Sequence, residues 1–215
     1  MEIRPLRETD SRLEISRIYE ESWRSAYRGL VPQAYLDSIP AGHWAEALDR
    51  ADWTTLVMLD GGKPVGTSSV GPSRWPEHPK FGEIVSLYLL PEYMGRGCGR
   101  TLLEAAVREL EGRGFRDILL WVLEKNRRAR RFYEKNGFRF GGTRMESAVG
   151  GKQNCCTAAV RRPAGPFRRT AAGEVRPGGA GREGRKGRKK CSGGPEGNSG
   201  LFAGPAWVRN FTKSS

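Results

Sequence analysis

Apolar residues recur along this chain with two different periods, and the points where the period switches divide it into elements. "EIRPL" near the N-terminus reads as a short strand. Asp10 or Ser11 then caps a helix whose apolar positions Leu13, Ile15, Ile18, Trp23 and Tyr27 follow helical spacing imperfectly. Pro32 ends that region, and a second helical piece covers about 33–51 with a break near Pro40. "TTLVMLD" and "KPVGTSSVG", joined through Gly61 and Gly62, predict a β-hairpin with a tight glycine turn. Beyond a loop with Pro72, Pro76 and Pro79, "EIVSLYLL" is a strand that leads straight into a glycine-rich loop. Leu102, Leu103, Ala106, Val107 and Leu110 form one face of the next helix, closed by Gly112 and Gly114. "DILLWVLE" is nearly all apolar, which suits a central strand. Asn126 opens another helix that stops at Asn136 and Gly137, and "FRFGGTRMESAV" follows as a strand.

This order predicts the α/β class: a single domain over 1–160 built on a mixed, mostly antiparallel sheet with helices on both faces. The strand–loop–helix–strand portion should make a right-handed parallel crossover. Within "GGKQNCCTAAV" the regular pattern dissolves after Gln153. Residues 161–215 hold 12 of the 29 glycines and five prolines, a composition that buries too little apolar surface to order a chain. They read as a disordered basic tail.

The chemistry concentrates in "YMGRGCGRTLLEAAV", where Gly95, Gly97 and Gly99 alternate with Arg96 and Cys98 at the mouth of a helix. Backbone N–H groups at a helix start, flanked by arginines, point to a phosphate-bearing ligand. A Walker A loop needs four residues between its glycines and then Lys with Ser or Thr; here three separate Gly95 from Gly99, and Arg100 precedes Thr101. The dinucleotide fingerprint GxGxxG is not matched either, since the loop reads GxGxG after the fourth strand. ATP and NAD are both poor ligands for it.

The loop resembles the acetyl-CoA loop of the GNAT superfamily of N-acetyltransferases, aligned as Met94, Gly95, Arg96, Gly97, Cys98 and Gly99, with Met94 where Gln or Arg is usual. A second motif, "NRRARRFYEKNGF" from Asn126 to Phe138, matches the family's Asn, Ala, Tyr and Gly-Phe pattern downstream. The likeness extends over about 1–150.

That resemblance implies acetyl transfer from acetyl-CoA to a primary amine, such as a small molecule or a peptide N-terminus, by direct attack in a ternary complex without metal. It implies that the strand ending at Leu89 and Leu90 splays from "DILLWVLE", with the Leu89 N–H or a neighbour polarising the thioester carbonyl. Arg96 and Arg100 would add charge-assisted contacts to the pyrophosphate. Tyr133 would protonate the leaving thiolate, and Asn126 would both cap its helix and contact the cofactor arm. Glu83 is the candidate base, directly or through a water, against the alternative of a solvated strand-end carboxylate. Ser86 alternates onto the opposite face unless the strand is bulged. Trp23 and Tyr27 would wall the acceptor cleft, although each also suits an ordinary core position.

Charge adds a second reading. The formal net charge is +13, but 161–215 carry 13 basic against 3 acidic residues, leaving a near-balanced body. The tail could therefore hold nucleic acid nonspecifically. Its composition is also what GC-rich DNA yields when read in a shifted frame. No apolar run reaches the length of a membrane span, the N-terminus has no apolar signal-peptide core, and the four cysteines lack paired CxxC spacing. A cytoplasmic protein is expected, with His43 and His78 standing alone.

Overall fold

The computed structural model describes residues 1–162, so the sequence expectations for 163–215 lie outside the described residues. Within them, β1 (Glu2–Pro5), β2 (Thr54–Asp60), β3 (Lys63–Pro72), β4 (Gly82–Leu89), β5 (Ile118–Leu123), β6 (Arg139–Val149) and β7 (Lys152–Arg161) form one sheet. Its order is β1-β2-β3-β4-β5-β7-β6. Only β4 and β5 pair in parallel; the other neighbours are antiparallel. Helices α1 (Arg12–Ala26), α2 (Gln33–Asp37), α3 (Cys98–Gly112) and α4 (Arg127–Lys135) complete the domain.

Helix α1 starts where Ser11 Oγ accepts the Glu14 N–H at 3.3 Å. Just before it, Arg4 grips Asp10 with two bonds of 2.7 Å, tying β1 to the helix start. Its buried stripe is Ile15, Ile18, Tyr19, Ser22 and Trp23, at helical spacing. Leu13, expected in that stripe, is 66% exposed; Tyr19 holds the place instead, packed on Tyr88 at 4.8 Å and Trp44 at 5.6 Å between ring centroids. The helical piece expected over 33–51 is shorter: α2 stops at Asp37, Gly42 turns with φ +77°, and only a 3-10 turn at Glu46–Asp49 follows.

Two apolar layers flank the sheet. One joins α1 and α2 to Met58, Val65, Tyr88 and Leu123; the other packs α3 residues Leu103, Ala106, Val107 and Leu110 on Leu56, Val70, Ile84, Ile118 and Leu120. At roughly 1.5–3 kcal/mol per fully buried large aliphatic side chain, these layers supply most of the driving force for the fold.

Strand β7 corrects the expectation that regular structure dissolves after Gln153. It runs to Arg161, pairing Leu119 with Val160 on one side and Glu146 with Cys155 on the other. Because β7 lies between two strands it needs no strong alternation, and its buried positions Cys156, Thr157, Ala158 and Ala159 are small. Such a stretch carries little hydrophobic contrast to read.

Candidate functional site

The site arises from a defect in the sheet. Strands β4 and β5 pair only at Gly82 with Ile118 and Glu83 with Leu119, and diverge beyond. The Leu90 N–H is taken by the Val65 carbonyl at 2.9 Å on the β3 side. The carbonyl of the same peptide, on Leu89, points the opposite way, where Ser22 Oγ donates to it. Strand geometry sends the Leu89 N–H in that same direction, into the gap left by β5.

A cavity of about 500 Å³ fills this gap, bordered by Ser22 and Ala26 of α1, by Leu87–Leu89, by the glycine loop, and by α4. Gly95 and Gly97 have φ of +78° and +88°, the left-handed region that glycine enters without strain. Gly97 is the N-cap of α3 and provides no side-chain cap, so the first N–H groups of that helix remain open to an anion. A Cβ on Gly99 would lie 3.4 Å from Leu89 and 3.6 Å from Phe132, in ordinary van der Waals contact, so the position where α3, β4 and α4 come together has room for a methyl group.

Of the expected residues, Leu89, Met94, Gly95, Gly97, Gly99, Arg100, Asn126 and Tyr133 line this one cavity. Leu90, Arg96 and Cys98 do not. Leu90 is buried with its N–H spent on Val65, Cys98 is buried with its Sγ toward the Arg96 carbonyl, and the Arg96 guanidinium lies 5.7 Å from the Tyr93 ring centroid. Arg100 is exposed and bonds Glu104 at 2.8 Å. Asn126 Oδ1 accepts the Ala129 N–H at 3.1 Å, capping α4. Desolvation, with a smaller contribution from nearby Tyr27, pushes the Tyr133 phenol well above the ordinary tyrosine value. It holds its proton firmly.

Glu83 stands apart from the cavity lining. It is 1% exposed, not solvated, and its oxygens accept Arg74 Nη2 at 2.6 Å, Arg74 Nε at 3.0 Å, the Arg74 backbone N–H at 3.1 Å and Trp75 Nε1 at 3.3 Å. Strand β4 is bulged where its register against β3 shifts between Ser69 and Val70. That bulge turns Ser86 toward α1, where its hydroxyl lies 3.0 Å from Tyr19 OH and accepts the Ser69 N–H. Trp23 is buried and donates to Tyr88 OH at 3.1 Å; Tyr27 packs edge-on against it at 4.7 Å, and burial lifts the Tyr27 phenol to about 12. Both sit in the aromatic layer behind the cavity.

Ser22, Tyr88 and Phe132 also border the cavity and were not expected there. For Ser22 a signal existed: a serine stands at an apolar-stripe position of α1, between Tyr19 and Trp23. Among the described residues no cluster of His, Cys, Asp and Glu could hold a metal, and no helix is long and apolar enough to cross a membrane.

Comparison with known proteins places this geometry. A model of the acetyltransferase (GNAT) family matches residues 14–138. A probable N-acetyltransferase of Mycobacterium tuberculosis is 31% identical over 135 residues, covering 60% of this chain and 75% of that one. An uncharacterized N-acetyltransferase of Archaeoglobus fulgidus is 34% identical over 158 residues, 71% of this chain and all (100%) of that one. The crystal structure of the PaiA N-acetyltransferase from Thermoplasma acidophilum in complex with coenzyme A superposes with a TM-score of 0.57 at 22% identity, over 75% of this chain and 99% of that one. That likeness concerns the fold.

Proposed function

The chain belongs to the GNAT family of acetyltransferases and uses acetyl-CoA to acetylate an amine; we propose that a primary amine attacks directly, in a ternary complex held by the β4–β5 gap. The observation that carries this reading is the convergence of three features on one cavity. These are a strand edge that β5 leaves unpaired, a helix start with no side-chain cap, and a tyrosine that keeps its proton.

The residues present fit acetyl-CoA. The glycine loop and the first N–H groups of α3 would receive the pyrophosphate, with Arg100 adding charge at the rim. The Leu87–Leu89 edge and Asn126 would hold the pantetheine arm. When bound, acetyl-CoA supplies an acetyl group already activated as a thioester. The Leu89 N–H would donate to the acyl oxygen as negative charge grows on it. Tyr133 would keep a proton ready for the departing sulfur, which its raised pKa allows across the neutral range.

Glu83 could accept the proton of the amine only if Arg74 withdrew, since Arg74 and Trp75 already engage both carboxylate oxygens. A relative from Thermoplasma acidophilum named spermidine N(1)-acetyltransferase is 29% identical over 149 residues, which places polyamines first among amines to try. The test is calorimetric titration with acetyl-CoA and CoA, followed by thiol release over polyamines, amino sugars and peptides. Tight CoA binding and turnover with a primary amine are expected. Failure of the folded protein to bind either form of the cofactor would overturn the proposal.

A further inference from the structure

Ser22 is one polar residue in the buried stripe of α1, 1% exposed, and its hydroxyl bonds to the carbonyl of Leu89 rather than to its own helix. The peptide between Leu89 and Leu90 is thereby held at both ends, by Ser22 on the carbonyl and by the Val65 carbonyl on the N–H at 2.9 Å. In a complete sheet β5 would engage the Leu89 carbonyl. Here β5 has already left, and a helix on one face supplies the missing partner. A buried carbonyl without a partner would twist toward any available donor, at a cost comparable to a lost hydrogen bond.

We propose that Ser22 is a positioning residue for acetyl transfer: by clamping the Leu89 carbonyl at the edge of the gap, its hydroxyl sets the direction of the adjoining Leu89 N–H. This rests on the reading of the cavity as the acetyl-CoA site. The physical reason is that donors stabilise developing charge only when already aimed at it, so a modest rotation of the strand end forfeits much of the effect. Ser22 touches neither reactant in this scheme and acts through the backbone of Leu89. Its single proton is committed to the Leu89 carbonyl in this structure.

The test compares Ser22→Ala and Ser22→Thr with the wild-type chain. Ser22→Ala should lower kcat by about tenfold to a hundredfold, less than the roughly hundred- to thousandfold seen when such a donor is deleted outright. CoA, which lacks the thioester carbonyl, should bind within about twofold of wild type. The infrared carbonyl band of acetyl-CoA labelled with carbon-13 at the acetyl carbonyl should shift toward its free-solution frequency in Ser22→Ala. Ser22→Thr, which keeps the hydroxyl, should restore both the band and most of kcat. Equal losses in kcat, CoA affinity and melting temperature, or a carbonyl band unmoved by Ser22→Ala, would overturn the assignment. If the wild type shows no CoA binding, the acetyl-CoA reading itself fails, a result separable from a wild type that turns over and an alanine variant that matches it.

Discussion

At the scale of single residues, the site divides into groups aimed at the cavity and groups that hold them. Tyr133 belongs to the first, and replacing it with Phe removes only the hydroxyl. Tyr133→Phe should reduce kcat by roughly ten- to ten-thousandfold, the span of acid–base assistance, with CoA affinity nearly unchanged in calorimetry. Because an acid works only while protonated and burial raises this phenol, wild-type activity should persist to higher pH than an ordinary tyrosine would allow. An alkaline limb at the ordinary tyrosine value would remove Tyr133 from the acid role. Glu83 belongs to neither group: it stands apart from the cavity lining, with Arg74 and Trp75 filling its coordination. Glu83→Gln leaves the Arg74 guanidinium, 13% exposed, without its counter-charge and should cost about 3–5 kcal/mol of stability in chemical denaturation, with the shape of the pH–rate profile retained. A shifted profile at unchanged stability would make Glu83 the base instead. Tyr133 and the glycines were legible because their motif is local in sequence. Ser22 and the Arg74 pairing were not, since each depends on which segment the fold brings opposite.

At the scale of elements, the uncapped start of α3 and the parting of β4 from β5 border the same cavity. Gly97 sits at φ +88° with no atom within 4 Å of where a Cβ would stand, so a side chain there meets backbone strain, not collision. Gly97→Ala should therefore lose only about 1–2 kcal/mol of stability, while the new methyl group and the relaxed turn disturb the N–H groups offered to the pyrophosphate. Calorimetry should show CoA binding weakened beyond what the stability change accounts for. CoA binding equal to wild type would mean that the phosphates lie elsewhere. Helix α1, the β2–β3 hairpin and β4 through α4 were readable from period and punctuation, as the turn at Gly61 and Gly62, with φ +56° and +83°, illustrates. Strand β7 was not, because Cys155, Cys156, Thr157, Ala158 and Ala159 alternate neither in size nor strongly in polarity. Only their placement between β5 and β6 makes them a strand.

At the scale of the whole molecule, the question is how much of the chain the enzyme needs. Strand β7 pairs along the full length of β5, and Arg161 at its end bonds Glu111 of α3 at 2.8 Å, so the sheet and its packing on α3 extend through Arg161. A chain ending at Arg162 should keep CoA binding and amine turnover close to those of the full chain. One ending at Gln153 removes most of β7, leaves β5 unpaired on that side and exposes Leu119 and Val122, and should fail to fold cooperatively. The basic residues beyond the domain make a separate prediction. The full chain should bind DNA and RNA alike, with affinity falling steeply as salt rises and little preference for sequence, because lysine and arginine charges neutralise phosphates and read no base edges by charge alone. The chain ending at Arg162 should lose that binding while its kcat is unchanged. Nucleic-acid affinity that survived the shortening would assign it to the folded domain, and turnover that vanished on shortening at Arg162 would make residues 163–215 part of the enzyme.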